Sequence, residues 1–168
     1  MSNSNLSIIN LVENPKTKVI KNLNDLSRAF IFLEENFPLA NNICSKLFNY
    51  LKVANKELGF YGYIFETNNK TILGAILTPV QYKSKSSQKQ IVINLCALYI
   101  IKKIRGIESL RFIKEVIDKL SEYIITTYSS TLDAENIFKY LGFKDMKSVN
   151  ISMSFFYCFS FKSLFKSD

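Results

Sequence analysis

The chain has 168 residues, and its 22 Lys and Arg against 14 Asp and Glu give a formal net charge of +8. This length predicts one domain, residues 1–168, whose core needs no metal or disulfide. The chain contains no histidine, which excludes Ser-His-Asp and Cys-His catalysis and every histidine-containing zinc site.

The remaining composition narrows the class of protein further. Cys44, Cys96 and Cys158 form no Cys-x-x-Cys pair, so a four-cysteine metal site is also excluded and no metal is expected. Free thiols, and apolar runs shorter than about 20 residues, predict a cytoplasmic protein. The positive charge predicts an anionic partner, which nucleic acid, anionic lipid or a phosphorylated cofactor would satisfy, although genome base composition also produces lysine-rich chains.

The first half of the chain alternates between strand and helix patterns. A short strand is predicted at 19–23. Asn24 and Asp25 can cap a helix that ends at Pro38, and Asn41 and Asn42 begin a second predicted helix that Gly59 ends.

Three strands and a loop follow. Aromatic and β-branched residues predict strands at 61–67 and 71–82, which form a hairpin around a turn at 68–70. Residues 83–89 are rich in Lys and Ser and predict a solvated basic loop. The nearly continuous apolar run at 90–101 predicts a strand that is buried on both faces.

A helix is predicted over 107–121, after a basic turn at 102–106. Its predicted buried stripe consists of Ile107, Leu110, Ile113, Ile117 and Leu120. The residues predicted to face outward are Arg111, Lys114, Glu115, Asp118 and Lys119.

The chain then predicts a strand at 123–129, a helix at 133–141 that ends at Gly142, and terminal strands within 148–161. The fold class is therefore mixed α/β, with a largely antiparallel sheet and one right-handed parallel crossover from 90–101 to 123–129. The chain ends in an aromatic tail, Phe155 to Phe165, which we expect to pack on the core. A membrane-surface or partner contact and a homodimer edge are the less favoured alternatives.

The turn before the predicted helix at 107–121 has the features of an anion site. Lys102, Lys103 and Arg105 surround the helix N-terminus, which carries about half a positive charge. Gly106 allows the backbone to approach a phosphate closely. The alternative is an ordinary strand–helix connection with a solvated basic face.

Three local motifs, and their order along the chain, resemble those of the GNAT superfamily of acyl-CoA-dependent acetyltransferases. They are Leu98-Tyr99-Ile100 before Arg105-Gly106 and a helix; Ala134 to Phe143, ending in Leu-Gly-Phe; and the turn at 68–70 followed by Ile72-Leu73-Gly74-Ala75. Asn94-Leu95 with Ser109-Leu110 is further similar to a subgroup found with bacterial surface-polysaccharide genes. The resemblance implies a GNAT-like central sheet that is splayed between strands four and five and flanked by helices.

The resemblance also implies acetyl-CoA as cosubstrate. Its pantetheine arm would pair with the backbone of Leu98, Tyr99 and Ile100. Further residues implied for cofactor binding are Lys102, Lys103, Arg105, Gly106, Ile107, Glu108, Ser109 and Leu110 around the pyrophosphate, with Asn136 and Phe138 on the closing helix.

Two departures from the family pattern concern charge and proton transfer. Glu108 replaces a glycine beside the expected pyrophosphate, and it repels the phosphates unless it points away or pairs with Arg111 or Lys102. Ser109 is then a candidate hydroxyl donor. Phe138 stands where the family usually has its general-acid tyrosine, and the usual glutamate base falls near Cys96 or Ala97, neither of which is a carboxylate.

Four other side chains are the candidate catalytic groups: Asn94, Tyr99, Glu66 and Tyr140. Asn94 or Tyr99 would relay a proton through water. Glu66 is a second candidate base, unless it is simply an exposed strand end. Tyr140 lies roughly 200° around the helix from Phe138. The missing base favours an acceptor amine of low pKa.

The function implied is acetyl transfer from acetyl-CoA to a small acceptor amine or hydroxyl, for example on a sugar. One alternative is a non-catalytic GNAT-like domain that binds a ligand or a protein. Another is an acetyltransferase that acts on a nucleic-acid-linked or protein amine. Nucleic acid itself is not the favoured partner, because only the net charge supports it.

Overall fold

The computed structural model describes residues 15–36, 41–85, 88–127 and 132–144. The chain divides into two units, Met1–Tyr128 and Ser129–Asp168. The first contains β1 (Lys16–Ile20), α1 (Leu23–Asn36), α2 (Asn41–Ala54), β2 (Gly62–Glu66), β3 (Ile72–Leu77), β4 (Val80–Lys85), β5 (Gln88–Ile100), a 3-10 turn (Lys102–Ile104), α3 (Ile107–Lys119) and β6 (Ile124–Thr127). The second contains α4 (Leu132–Tyr140).

The strands of the first unit form one mixed sheet. Antiparallel pairs join β1 to β2, β2 to β3, and β5 to both β3 and β4, while β6 pairs with β5 in parallel. Val92 of β5 pairs with both Gln81 and Ile124, so β4 and β6 lie on opposite edges of β5. The predicted mixed α/β class, the mostly antiparallel sheet and the parallel β5–α3–β6 crossover are confirmed.

The predicted strand at 71–82 is in fact two strands, β3 and β4, which are separated at Thr78 and Pro79. Proline has no N–H to donate, so the ladder is interrupted there. Asn55 replaces the missing ladder bonds: its Nδ2 donates to Thr78 O at 2.7 Å, and its Oδ1 accepts from Val80 N at 3.3 Å. Because the predicted third strand is two strands in the structure, the predicted fourth and fifth strands are β5 and β6.

The basic loop predicted at 83–89 is wrong. Backbone pairing between β4 and β5 continues outward to Lys85 and Gln88. The apolar stretch of β5 fixes the register, and the antiparallel ladder then extends into a segment whose composition alone resembles a loop.

The two faces of the sheet carry different helices. On one face, Leu26 and Leu33 of α1 and Leu51 of α2 form a buried cluster with Ile64 and Leu77. Phe65 points to the opposite face, because neighbouring strand residues alternate. There its ring stacks on Phe112 of α3, with centroids 5.1 Å apart. The core is therefore two layers separated by the sheet.

Two helix details differ from the predictions. The cap of α1 is Asn22, whose Oδ1 accepts from Asp25 N at 2.8 Å, rather than Asn24 or Asp25. The predicted stripe of α3 is confirmed at Ile113 and Leu120, which are buried, and is wrong at Ile107, which is 81% exposed. The other buried positions are Ser109, Phe112 and Val116.

The second unit is described as far as Lys144. Helix α4 ends as predicted at Gly142, whose φ of +90° favours glycine, and Phe143 N donates to Phe138 O at 3.0 Å. The predicted terminal strands within 148–161 lie outside the described residues. No helix in the described part of the chain has the length and apolarity needed to cross a membrane.

Candidate functional site

The second half of β5 has one edge that no described strand pairs with, which we call the open edge. From Val92 to Leu95 the strand pairs with β6, and from Cys96 to Ile100 it pairs with β3 on the opposite edge. Among the described residues, no strand pairs with the β6-side edge beyond Leu95. The pairing ends at Thr127, which is also the last described residue of β6, so the separation of the two parallel strands that the resemblance implies stays a prediction.

A bulge at Ala97 changes which side chains share a face. Ala97 has a φ of +50°, and three steps along β5, Cys96 to Tyr99, match two steps along β3, Leu77 to Ala75. Simple alternation places Cys96 and Tyr99 on opposite faces. In the structure both join the cluster on the α1 and α2 face. Asn94 shares the face of Cys96 by alternation, so the bulge brings Asn94 and Tyr99 to the same side.

The backbone at the end of β5 is tied to the basic turn. Ile101 N donates to Leu73 O at 2.9 Å, and in an antiparallel ladder the neighbouring residue then turns its carbonyl to the other edge. That carbonyl, Ile100 O, accepts a 3.0 Å hydrogen bond from Arg105 Nε. The guanidinium also lies 5.5 Å from the centre of the Tyr99 ring.

The turn itself leads into the N-terminus of α3. Lys102 and Lys103 are exposed, and Gly106 adopts φ +117°, ψ −128° with no atom within 4 Å of an added Cβ. The dihedral angles rather than space therefore require glycine here. Leu110 N donates to Gly106 O, and the first-turn N–H groups before it have no intrahelical acceptor. Three cations and these amides favour an anion.

Glu108 is compensated by a partner on the same helix. Its Oε2 lies 2.7 Å from an Nη of Arg111, which also donates to Pro15 O at 2.9 Å and lies 5.4 Å from the Phe65 ring centre. Of the two partners predicted, Arg111 is the one observed. The outward orientation predicted for Arg111 is wrong, because its flat guanidinium covers an aromatic ring.

Ser109 lies on the buried side of α3. It is only 5% exposed, and its Oγ has no hydrogen-bond partner among the described residues. The hydroxyl therefore does not present itself at the surface of the turn, and of the predicted roles only that of its backbone N–H is retained.

Asn94 is a candidate catalytic group that lies in β5 next to the last residue paired with β6. Its backbone N donates to Pro79 O at 2.9 Å, and its Oδ1 is buried without a hydrogen-bond partner in the described part of the chain. Tyr99 packs edge-on against Phe32, with ring centroids 5.8 Å apart. Burial raises the pKa of the neighbouring Cys96 thiol to about 12, so that thiol is a poor nucleophile.

Glu66 is neither an exposed strand end nor a free base. Its side chain is 11% exposed, and its two oxygens lie 2.9 Å from Arg28 Nη2 and 3.7 Å from Lys18 Nζ. The same two cations contact Asp25, each at 3.0 Å. Burial opposes the charge of Asp25, but hydrogen bonds from Lys18 and Arg28 outweigh it and lower the pKa of the carboxyl. The cluster is a structural one.

The residues predicted on α4 point to different sides of that helix. Phe138 is buried and packs on Phe143 at 5.1 Å, whereas Asn136 is exposed and Tyr140 is 79% exposed. Their roles at the thioester stay predictions. No group of His, Cys, Asp or Glu within the described ranges is arranged to hold a metal.

Several solved structures share this architecture. A predicted acetyltransferase from Clostridium acetobutylicum, solved with acetyl-CoA, matches at TM-score 0.61 and 16% identity over 80% of this chain and 92% of that one. Glucosamine-6-phosphate N-acetyltransferase from Arabidopsis thaliana matches at 0.60 and 13%, over 85% and 99%. Arabidopsis thaliana Naa50, in complex with the bisubstrate analogue CoA-Ac-MVNAL, matches at 0.57 and 18%, over 83% and 93%.

No family sequence model and no curated protein sequence matches the chain. The structural matches, all at low sequence identity, are to acetyltransferases, the class that the three sequence motifs resemble. These matches show the fold of the chain, and they do not show that it belongs to the polysaccharide-associated subgroup. The chain has the fold of the GNAT acetyltransferases.

Proposed function

We propose that the protein binds acetyl-CoA and transfers its acetyl group to a small acceptor amine or hydroxyl. The observation that carries the proposal is the open edge of β5, which runs directly into the basic turn and the N-terminus of α3. The same fold holds acetyl-CoA in the Clostridium acetobutylicum protein and a CoA-containing analogue in Naa50.

In this proposal acetyl-CoA, the acetyl donor, lies along the open edge of β5, with its phosphates at the basic turn before α3. The pantetheine amides pair with the backbone of Leu98 and Ile100, and the pyrophosphate binds above Gly106. Lys102, Lys103 and Arg105 supply the surrounding positive charge, with the backbone amides of Ile107, Glu108, Ser109 and Leu110 nearby. The Glu108–Arg111 ion pair reduces the repulsion between the carboxylate and the phosphates.

The sulfur end of such a donor lies toward Ala97 and Asn94, because its phosphate end is fixed at the turn. An acceptor nitrogen or hydroxyl oxygen attacks the thioester carbonyl, and the CoA thiolate leaves. Asn94 and Tyr99 are polar residues in the second half of β5 on the α1 and α2 face, and we retain them as the candidate groups that contact the acceptor.

The test is a comparison of two glycines that both adopt positive φ with no neighbour within 4 Å of an added Cβ. Gly106 lies at the proposed phosphate site, and Gly59, with φ +76°, lies in the loop after α2. Gly106→Ala and Gly59→Ala should lower the melting temperature by similar amounts. Only Gly106→Ala should weaken the melting-temperature increase caused by acetyl-CoA, by about tenfold in apparent Kd. Absence of any increase at millimolar acetyl-CoA would refute the proposal.

A non-catalytic GNAT-like binding domain is the second candidate. The observation that favours it is Phe138, a buried phenyl ring at the position of the family's usual acid. Binding of acetyl-CoA without release of CoA thiol, across amine, sugar, peptide and aminoacyl-tRNA acceptors, would support this second function. Thiol release that depends on an acceptor would refute it.

A further inference from the structure

The positive charge of the protein is concentrated in one stretch of the sequence. Between Glu66 and Glu108 there are seven Lys and Arg residues and no Asp or Glu. Of the total of 22 Lys and Arg, 15 therefore remain for the rest of the chain, which contains all 14 Asp and Glu and is almost neutral. A lysine-rich genome composition would spread positive charge along the whole chain. This concentration points instead to anionic ligands of the segment itself.

Six of the seven cations lie at the two ends of β5. Three form the basic turn after the strand, which the proposed function assigns to the phosphates of acetyl-CoA. The other three, Lys83, Lys85 and Lys89, lie in the antiparallel ladder between β4 and β5. Lys89 and Ile100 are eleven residues apart, which is about 35 Å along a strand. The two groups of cations are therefore separate, and the proposed function uses only the first.

The outer part of the β4–β5 ladder, residues 81–85 and 88–91, forms a two-stranded ribbon that we call the basic arm. β6 begins opposite Val92, and β2 begins opposite Leu77. In the described ranges, no strand therefore pairs with either outer edge of the arm. The arm extends about 13 Å along β5 beyond the start of β6. Its lysines are thus placed beyond the part of the sheet that the other strands complete.

The lysines of the basic arm are distributed over both faces of the ribbon. Because strand residues alternate, Lys83 and Lys85 lie on one face, and Lys89, which pairs with Ser84, lies on the other. No acidic residue occurs in either strand of the arm. Three uncompensated positive charges on so small an element attract a polyanion such as a phosphate backbone.

A tyrosine at the base of the arm indicates which polyanion fits. Tyr82 lies on the same face as Lys89, because it pairs with Ile91 and alternates with Lys83. It is 37% exposed, and its hydroxyl donates to Ala54 O at 3.4 Å, which ties the ring to the end of α2. A partly exposed ring that is held beside cations is a platform on which a nucleic-acid base can stack.

We propose that the basic arm binds single-stranded nucleic acid, with phosphates at its lysines and one base stacked on Tyr82. The net charge alone does not favour nucleic acid, but the placement of the charge beside this ring does. A duplex keeps its bases stacked on one another, so a single strand is the form that offers both phosphates and a free base. The arm otherwise consists of Gln, Ser and one Ile, so it lacks the apolar side chains with which a protein enters a lipid bilayer.

This inference goes beyond the proposed acetyl transfer and does not depend on it. The experiment uses the full chain and a fluorescent single-stranded oligonucleotide of about 12 nucleotides, as RNA and as DNA. Fluorescence anisotropy gives the affinity at about 50 and 200 mM salt. The triple variant Lys83→Gln, Lys85→Gln, Lys89→Gln should bind at least about tenfold more weakly at the lower concentration. Its slope of log K against log salt concentration should be smaller by about 2, since each phosphate contact of a single strand contributes about 0.7.

The matched control removes the same charge elsewhere. Lys16, Lys21 and Lys119 are exposed and lie outside both the basic arm and the basic turn. Replacing these three by Gln should leave the salt slope close to that of the parent, because only cations that contact phosphates determine it. Replacing the three arm lysines by Arg keeps the charge and should preserve affinity. Equal losses in the two Gln variants would refute the inference.

Variants of Tyr82 test the stacking separately from the charge. Tyr82→Leu removes the ring, so affinity should fall by about tenfold while the salt slope stays unchanged. Tyr82→Phe keeps the ring and should bind like the parent, because the hydroxyl serves only to hold the ring against α2. Wild-type affinity in Tyr82→Leu would refute the stacking role.

Acetyl-CoA distinguishes this site from the basic turn. Saturating acetyl-CoA should not displace the oligonucleotide, because the two ligands bind at opposite ends of β5. Displacement would assign the oligonucleotide to the basic turn and refute the inference. Tighter binding to a duplex, to anionic lipid vesicles or to a polyglutamate peptide would also refute it, as would absence of oligonucleotide binding at the lower salt concentration. Failure to bind acetyl-CoA would refute only the proposed function.

Discussion

The Nε–H of Arg105 donates a 3.0 Å hydrogen bond to the carbonyl of Ile100, on the edge of β5 that faces away from β3. This hydrogen bond therefore joins the positively charged turn to the strand edge along which acetyl-CoA is proposed to bind. The face of the guanidinium is held by Tyr99 at 5.5 Å, and its Nη groups can still contact a phosphate.

Replacing Arg105 tests this connection. Arg105→Met keeps the aliphatic stem but removes the charge and the donor, so acetyl-CoA affinity should fall about 10- to 100-fold, as for a charged hydrogen bond of about 1.5–3 kcal/mol. Titration calorimetry measures it. The matched control is Lys52→Met on α2, another exposed cation over a ring, 5.6 Å from the Phe48 centre. Equal affinities for the two variants would contradict the assignment.

The Glu108–Arg111 pair makes a prediction about coupling. Arg111→Met leaves the Glu108 carboxylate uncompensated beside the phosphates, so acetyl-CoA should bind more weakly. Glu108→Gln should bind it more tightly, and the double variant should recover most of the loss. Dissociation constants measured at low and high salt complete the double-mutant cycle. Strictly additive effects would mean that the ion pair, 2.7 Å long, has no influence on the donor.

The cluster around Asp25 predicts a pH dependence of stability. The pKa of this carboxyl is lowered in the folded protein, because bonds from Lys18 and Arg28 outweigh the effect of burial. A lowered folded-state pKa gives stability that is present above the unfolded value of about 3.9 and is lost as pH falls toward the folded value. Urea unfolding between pH 6 and pH 2.5 should show this loss.

Two variants interpret that experiment. Asp25→Asn should be less stable than the parent at pH 6, and its stability should depend less on pH below about 4. Asp118→Asn is the control, because Asp118 forms an exposed ion pair with Lys114 at 2.8 Å on α3. Exposed pairs contribute little, so its curve should follow that of the parent. Parallel curves for Asp25→Asn and the parent would disprove the attribution.

Asn55 is predicted to be a principal determinant of stability outside the apolar core. Asn55→Ala leaves Thr78 O and Val80 N buried without their partner, so the free energy of unfolding should fall by about 2 kcal/mol or more. Asn36→Ala, which removes a 2.8 Å bond to Phe32 O at the end of α1, should lower it by less than about 1 kcal/mol. Denaturant unfolding compares them, and similar losses would count against this role for Asn55.

The features that sequence predicted well are local ones. The end of α4 at Gly142 follows from one glycine with positive φ, and the β5–α3–β6 crossover follows from the order of an apolar strand and an amphipathic helix. The basic turn before α3 could also be predicted, because Lys102, Lys103, Arg105 and Gly106 lie within five positions of the chain, and anion binding by this turn stays a prediction.

The features that it missed depend on contacts between distant segments. Glu66 meets Arg28 across 38 positions, and Arg111 meets Pro15 across 96, so neither partner has a local signal. The strand division at Pro79 has a local signal in the proline itself. A proline inside a strand requires another donor, and Asn55 after α2 provides the replacement bonds.

The bulge at Ala97 reverses, along β5, which of the odd- and even-numbered side chains point to a given face of the sheet. Up to Cys96, even-numbered residues point toward α1 and α2, and at Tyr99 an odd-numbered residue does. Uniform alternation along the same sequence would turn Tyr99 to the side that α3 covers, whereas deleting Ala97 would remove the bulge and leave Tyr99 on the side of Cys96. Thus one inserted residue, rather than any side chain, determines which of the later positions of β5 can meet Asn94.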